Sequence, residues 1–200
     1  MLTIQEVKTA EGIYNIPKNI HINKDICLDW RLFDALVNPD YDGNRDYKYD
    51  FNVFLPTYGI NLQRPYVWEH YQQNEFILSI LLEKPIESFV IIQYNEERDR
   101  GNVTNYVIDG KQRLMTIQKF GKNEFPIIVD GKEYYFKDFS DELKMFFEHR
   151  CSTLTAVVYY TYPDIPASDE LKIKLFNFYN FAGTPQTEEH KKKLENLLKK

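Results

Sequence analysis

The sequence predicts an α+β domain. Three observations carry this. Apolar residues make up 43% of 200, enough for a core. Helix-period and strand-like apolar stretches are mixed along the chain. One hairpin is written in plain turn chemistry at Asp130-Gly131. No apolar run comes near the roughly 18 residues of a membrane span, so no membrane partner is expected. The start, MLTIQEVKTAEG, has no basic stretch ahead of an apolar block, and no secretory leader is expected. Cys27 and Cys151 lie far apart and predict neither a zinc module nor a disulfide framework. A reducing, cytoplasmic setting is the expectation.

Ile20 to Ile26 predicts a short strand and Trp30 to Val37 a short helix. Residues 38–50 are polar and turn-rich, with Asp40, Asp42, Asp46 and Asp50 against Arg45 and Lys48. They predict an exposed insert or loop. The glutamate and glycine placement of a calcium loop is missing from it. The chain therefore divides into an N-terminal extension of uncertain structure at 1–50, a domain at 51–190, and the C-terminal end of a helix at 191–200.

From residue 60 the elements follow in order. Trp68 to Glu83 is a helix with a stripe of Phe76, Ile77, Ile80 and Leu81, stopped by Lys84-Pro85. Phe89–Tyr94 is a buried strand, Glu96 to Asn102 a charged loop, and Thr104–Ile108 a second strand. After a sharp turn at Asp109-Gly110, Lys111–Phe120 is a helix with Leu114, Ile117 and Phe120 inward. Phe125–Val129 and Glu133–Phe136 flank the hairpin turn. Ser140 caps a helix opened by Asp141 and Glu142. Thr155–Tyr162 is a strand, residues 169–180 a helix, and Gly183 a stop. Thr187 caps a last helix at 188–199, whose thin stripe of Leu194, Leu197 and Leu198 suits docking to a partner.

Net charge is −5 and the pI about 5.5, against a chain devoted to non-specific coating of nucleic acid. Residues 98–122 run the other way, with six basic residues against Asp99 and Asp109. Within them, Tyr106 to Leu114 ends a strand, turns at Asp109-Gly110 and begins a helix at once. A helix start presents unpaired N–H groups and the positive end of the dipole, and Lys111 and Arg113 add two cations there. Phosphate is the matching guest. Asp109 could hold Mg²⁺, orient a water or lock Arg113; Gln112 offers a donor and an acceptor to a base, a sugar or an attacking water. The plain alternative is a strand-to-helix turn with solvated charges. Asp130-Gly131-Lys132 repeats the tripeptide between two strands, where it is simply a hairpin turn. A second segment, Asn61 to Glu69, sets Gln63 and Arg64 beside Tyr66 and Trp68, which suits a phosphate-and-ring ligand. Its plain alternative packs both rings on the core and pairs Arg64 with a surface acid.

Together, QRPYVW at 63–68, VIDGKQRLMTI at 107–117 and NFAGTPQT at 180–187 resemble the amino-terminal domain of GmrSD-type modification-dependent restriction proteins, over roughly residues 54–190. That family carries Gln-Arg-x-Tyr-x-Trp, Asp-Gly-Gln-Gln-Arg-Leu and Asn-x-x-Gly-x-Pro-Leu-Thr segments. The resemblance implies a ParB/sulfiredoxin-like mixed sheet with flanking helices. It also implies NTP binding, often of GTP with Mg²⁺, and hydrolysis coupled to DNA cleavage or to sensing of modified DNA. Carried over by motif, Gln63, Arg64, Tyr66, Trp68, Gly110, Lys111, Arg113 and Asn180 would bind the nucleotide and its phosphates. Asp109, Gln112 and Arg113 would be catalytic, Asp109 handling metal or water and Gln112 orienting the nucleophile. Gly183, Pro185 and Thr187 complete the third match.

Lys111 stands where the family has glutamine, keeping length and adding charge. The cysteine of sulfiredoxin chemistry is not in this turn, and His21, His70, His149 and His190 form no His-Asn-His nuclease pattern. Two functions follow. One is an NTP-binding, NTP-hydrolysing domain of a restriction or defence system without its own nuclease. The other is a non-catalytic module that grips DNA, docks a separate nuclease or defence subunit, or acts as a decoy.

Overall fold

The computed structural model describes residues 20–28, 32–37, 47–96 and 102–180. Elements run in the order β1 (His21–Cys27), α1 (Leu32–Val37), β2 (Tyr47–Asp50), the two-residue strands β3 (Phe54–Leu55) and β4 (Ile60–Asn61), α2 (His70–Leu81), β5 (Phe89–Asn95), β6 (Val103–Asp109), α3 (Lys111–Gly121), β7 (Ile127–Val129), β8 (Lys132–Tyr134), α4 (Asp141–Ser152), β9 (Thr155–Thr161) and α5 (Asp169–Asn180). Five strands form one mixed sheet in the order β1-β9-β5-β6-β2. β5 lies parallel to β9 and antiparallel to β6, while β2 is parallel to β6 and β1 antiparallel to β9. This is the predicted α+β class.

Both faces of the sheet are covered, so the centre of β5 reads as an unbroken apolar run, Phe89 to Ile92, all buried. Phe89, Ile91 and Val107 meet α1 to α4 through Leu36, Ile77, Leu114, Phe120 and Phe147. Val90, Ile92, Ile108 and Tyr159 meet α5 and the β3–β4 hairpin through Leu171, Ile173, Phe176, Val53, Leu55 and Leu62. Phe33, Phe120, Phe136 and Phe147 form an edge-on and tilted ring cluster with neighbouring centroids 5.0–5.9 Å apart, the packing expected of ring quadrupoles.

Local chemistry sets the ends. Ser140 Oγ accepts from Leu143 N at 3.3 Å and Ser168 Oγ from Leu171 N at 3.2 Å, starting α4 and α5. Asp130 and Gly131 take φ of 50° and 74°, the paired left-handed conformation of a tight hairpin.

The segment set apart at 1–50 is, over its described residues, part of the same fold. β1 is an edge of the main sheet. α1 packs on α3 and buries Leu32, Phe33 and Leu36. Residues 47–50, expected in a loop, form β2. An edge strand draws its stability from one ladder, so YKYD needs no buried apolar face to be read from sequence. The rest of the acidic loop, most of the charged loop after β5, Gly183, Pro185, Thr187 and the last helix lie outside the described residues. Among the described residues no helix is long and apolar enough to cross a membrane.

Candidate functional site

The junction of β6 and α3 is shaped by a bulge. Val90 pairs with Asp109 and Ile91 with Val107, leaving Ile108 as an extra residue. The Val107 and Ile108 carbonyls are then met by a side chain from far along the chain: Gln63 Nε2 donates to them at 2.8 and 2.7 Å. Asn180 Nδ2 donates to the same Ile108 carbonyl at 3.1 Å. Gly110 follows with φ of 94°. A Cβ there would lie 2.2 Å from Phe89 Cδ1 and 3.2 Å from Arg113 Nη2, so the turn requires glycine for its conformation and for its space.

The two motifs hold each other. Gln112, buried, accepts from Val67 N at 2.9 Å through Oε1 and donates to the Pro65 carbonyl at 3.0 Å through Nε2. Its amide thus imitates a strand partner for the 65–67 backbone. Tyr66 Oη lies 2.9 Å from Thr116 Oγ1, and Lys119 Nζ sits 5.4 Å from the Tyr66 ring centroid. Trp68 packs edge-on against Phe76 at 5.5 Å. Gln63, Tyr66, Gln112 and Asn180 therefore all make intramolecular contacts that build the junction, while Trp68 packs on α2.

Arg113, expected to grip a phosphate, is turned inward. Its Nη2 donates to Asp109 Oδ2 at 2.9 Å, its Nη1 to the Glu87 carbonyl, and its guanidinium lies 4.5 Å from the Phe89 ring centroid. Burial pulls its pKa down, and the Asp109 carboxylate opposes that. Of the roles open to Asp109, the structure places it in the one that locks Arg113. Among the described residues no group of three His, Cys, Asp or Glu side chains could cage a metal. A Mg²⁺ at this junction would enter on the guest's phosphates, with Asp109 as one protein carboxylate beside it.

Two cations remain. Arg64 is exposed and makes no hydrogen bond or ion pair among the described residues. Its backbone is nevertheless fixed, since Gln63 on one side and Pro65 on the other are bonded to the junction. Lys111, in the first turn of α3, is 5% exposed, and its Nζ reaches Asn52 Oδ1 at 3.3 Å.

Sequence reasoning missed the surroundings of Lys111. Asp50 ends β2 and accepts from Asn52 N and Val53 N at 2.9 Å each. Lys172, on the inner side of α5, donates to the Phe54 carbonyl at 3.4 Å and lies 4.0 Å from the Tyr106 ring centroid. The readable signal was a lysine set among Leu171, Ile173 and Leu175 of an amphipathic helix.

Burial pushes the Lys111 ammonium pKa down, and Asp50 partly restores it. A lysine with a depressed folded pKa lowers stability at neutral pH. That cost fades as pH rises through the folded value toward the ordinary 10.5. The stability of the protein relative to a Lys111→Met variant should therefore improve as pH climbs from neutral toward about 10.5. Urea midpoints of both proteins across that range measure it, and a constant difference would refute it.

An α+β domain whose bulged strand-to-helix turn is stapled to an upstream Gln-Arg-x-Tyr-x-Trp segment defines the class. The sequence matches the family model described as GmrSD restriction endonuclease, N-terminal domain, over residues 44–200. The chain belongs to that family, which marks it as a restriction- and defence-related module. Neither the curated proteins nor the solved structures gave a match.

Proposed function

We propose that this domain binds a nucleoside triphosphate, with the phosphates at the first turn of α3 and Mg²⁺ carried in with them, as the sensing part of a restriction or defence system. The observation that carries this is Arg64. It is an exposed guanidinium, without a partner among the described residues, on a backbone fastened to the end of β6 on one side and to the first turn of α3 on the other. Lys111 adds a second cation in the same turn. Binding is the supported part of the activity. The three groups expected to be catalytic are engaged within the protein, Gln112 with the 65–67 backbone and Asp109 with Arg113.

The test is melting temperature and calorimetric affinity against the four NTPs, each with and without Mg²⁺. A bound nucleotide raises the melting temperature by mass action. Arg64→Ala should weaken binding by roughly 10- to 100-fold, the worth of a charge-assisted phosphate contact. It should leave the unliganded melting temperature within about 2 °C, because the side chain is exposed and holds no partner among the described residues. A flat response to all four NTPs would overturn the reading. The openness of Arg64 also suits a DNA backbone phosphate. Affinity for DNA that falls steeply with salt, in the absence of nucleotide binding, would establish that second reading instead.

A further inference from the structure

We propose that Lys111 is the charge-selecting residue of this junction: an anionic group of the guest displaces the Asn52 amide from its ammonium, so that guests of higher negative charge are preferred. The inference rests on the phosphate-binding reading above and adds to it a residue and a basis of selectivity.

The other buried lysine among the described residues, Lys172, has a carboxylate, Asp169, at 4.0 Å, and the more exposed Lys119 and Lys144 have Glu124 at 2.6 Å and Asp141 at 3.8 Å. Lys111 forms no ion pair among the described residues. Its one hydrogen bond is long and goes to a neutral amide. Asp50, whose negative charge acts on Lys111, is turned to the backbone N–H groups that follow it. A buried ammonium with a neutral partner is a costly arrangement, of the kind found where a charge is kept for a guest. The cover over it is removable, since Asn52 is itself exposed. The Lys111 backbone also lies in the turn beside the fastened Arg64 segment. Through Gln112 that segment is bonded to the residue next to Lys111, which brings the backbone of a second cation to the same turn.

The test uses calorimetry on the full chain with inorganic phosphate, pyrophosphate and tripolyphosphate, and with the four NTPs and their diphosphates. The variants are Lys111→Gln, Asn52→Ala and Arg64→Ala. The unaltered protein should bind tripolyphosphate more tightly than phosphate. Lys111→Gln should lose roughly 10- to 100-fold for tripolyphosphate and narrow the triphosphate-to-diphosphate preference, without melting lower. Asn52→Ala should bind as tightly or more tightly, because it removes the competitor. The proposal is overturned if Lys111→Gln keeps both affinity and preference, or if it melts several degrees lower, which would make Lys111 a residue of the fold. Tripolyphosphate binding that needs Lys111, with no preference for any NTP, would sink the nucleotide reading and leave this one standing. NTP binding that depends on Arg64 and not on Lys111 would do the reverse, and no binding by any probe would end both.

Discussion

Gly110→Ala is expected to lower the stability of the domain by roughly 2–5 kcal/mol. A left-handed backbone costs an alanine about 1–2 kcal/mol, and forcing a methyl group into a packed site costs about 1–3 more. Here the methyl would arrive 2.2 Å from a carbon of the fully buried Phe89. Against the roughly 5–15 kcal/mol that holds a domain folded, such a loss lowers the melting temperature by about 5–20 °C. The chain supplies its own control. Gly131 occupies the same Asp-Gly-Lys tripeptide with φ of 74°, and no atom lies within 4 Å of the place a methyl group would take, so Gly131→Ala should cost only the backbone share, about 1 kcal/mol. Circular-dichroism melts of both variants measure the contrast. Equal losses would mean that the crowding against Phe89 is not real.

Arg113→Ala should be the next most damaging change, at roughly 2–4 kcal/mol. It leaves Asp109 without its counter-charge, removes the donor to the Glu87 carbonyl and uncovers the Phe89 ring. Arg113→Lys should rescue little, because an ammonium cannot reach a carboxylate and a carbonyl while lying flat on a ring. Pairing Arg113→Ala with Asp109→Ala should recover part of the loss, since the stranded carboxylate goes too. Chemical denaturation of the three variants decides it. A double variant as unstable as the sum of its singles would show that the pair does not act as a unit. The same expectation explains why loss of ligand binding in Arg113→Ala would say little about contact, and why Arg64, exposed and without a partner among the described residues, is the cleaner probe.

Most elements from residue 60 onward could be read in the sequence because their signals are local. The stripe of α2, the apolar run of β5, the caps at Ser140 and the Asp130-Gly131 turn each lie within a few residues of the structure they dictate. β2 and the two-residue strands β3 and β4 were not legible, since short strands are specified by the ladder they join. The candidate site divides along the same line. That Asp109-Gly110 is a strand-to-helix turn was readable in place. That Gln112 would reach Pro65 and Val67, and Gln63 the carbonyls of β6, was not, because those bonds join residues 44–47 positions apart. Residues that suggest chemistry by their type, two glutamines, a tyrosine and an arginine, are instead taken up by partners within the fold: Gln63 and Gln112 by backbone groups, Tyr66 by Thr116 and Arg113 by Asp109. The cation whose surroundings most invite an anion, Lys111, gained that distinction from Asn52, a residue no local pattern singled out.

The outermost strand bears on how the molecule meets others. β1 carries one surplus residue between Asn23 and Ile26, and Asp25 there takes φ of 54° while its carboxylate accepts from Ser88 Oγ. A rim interrupted in this way, with a lysine and an aspartate at the break, cannot template the addition of another chain along its length. Polymerisation by rim-to-rim stacking is closed to this side of the domain, and any visitor there must be recognised through side chains.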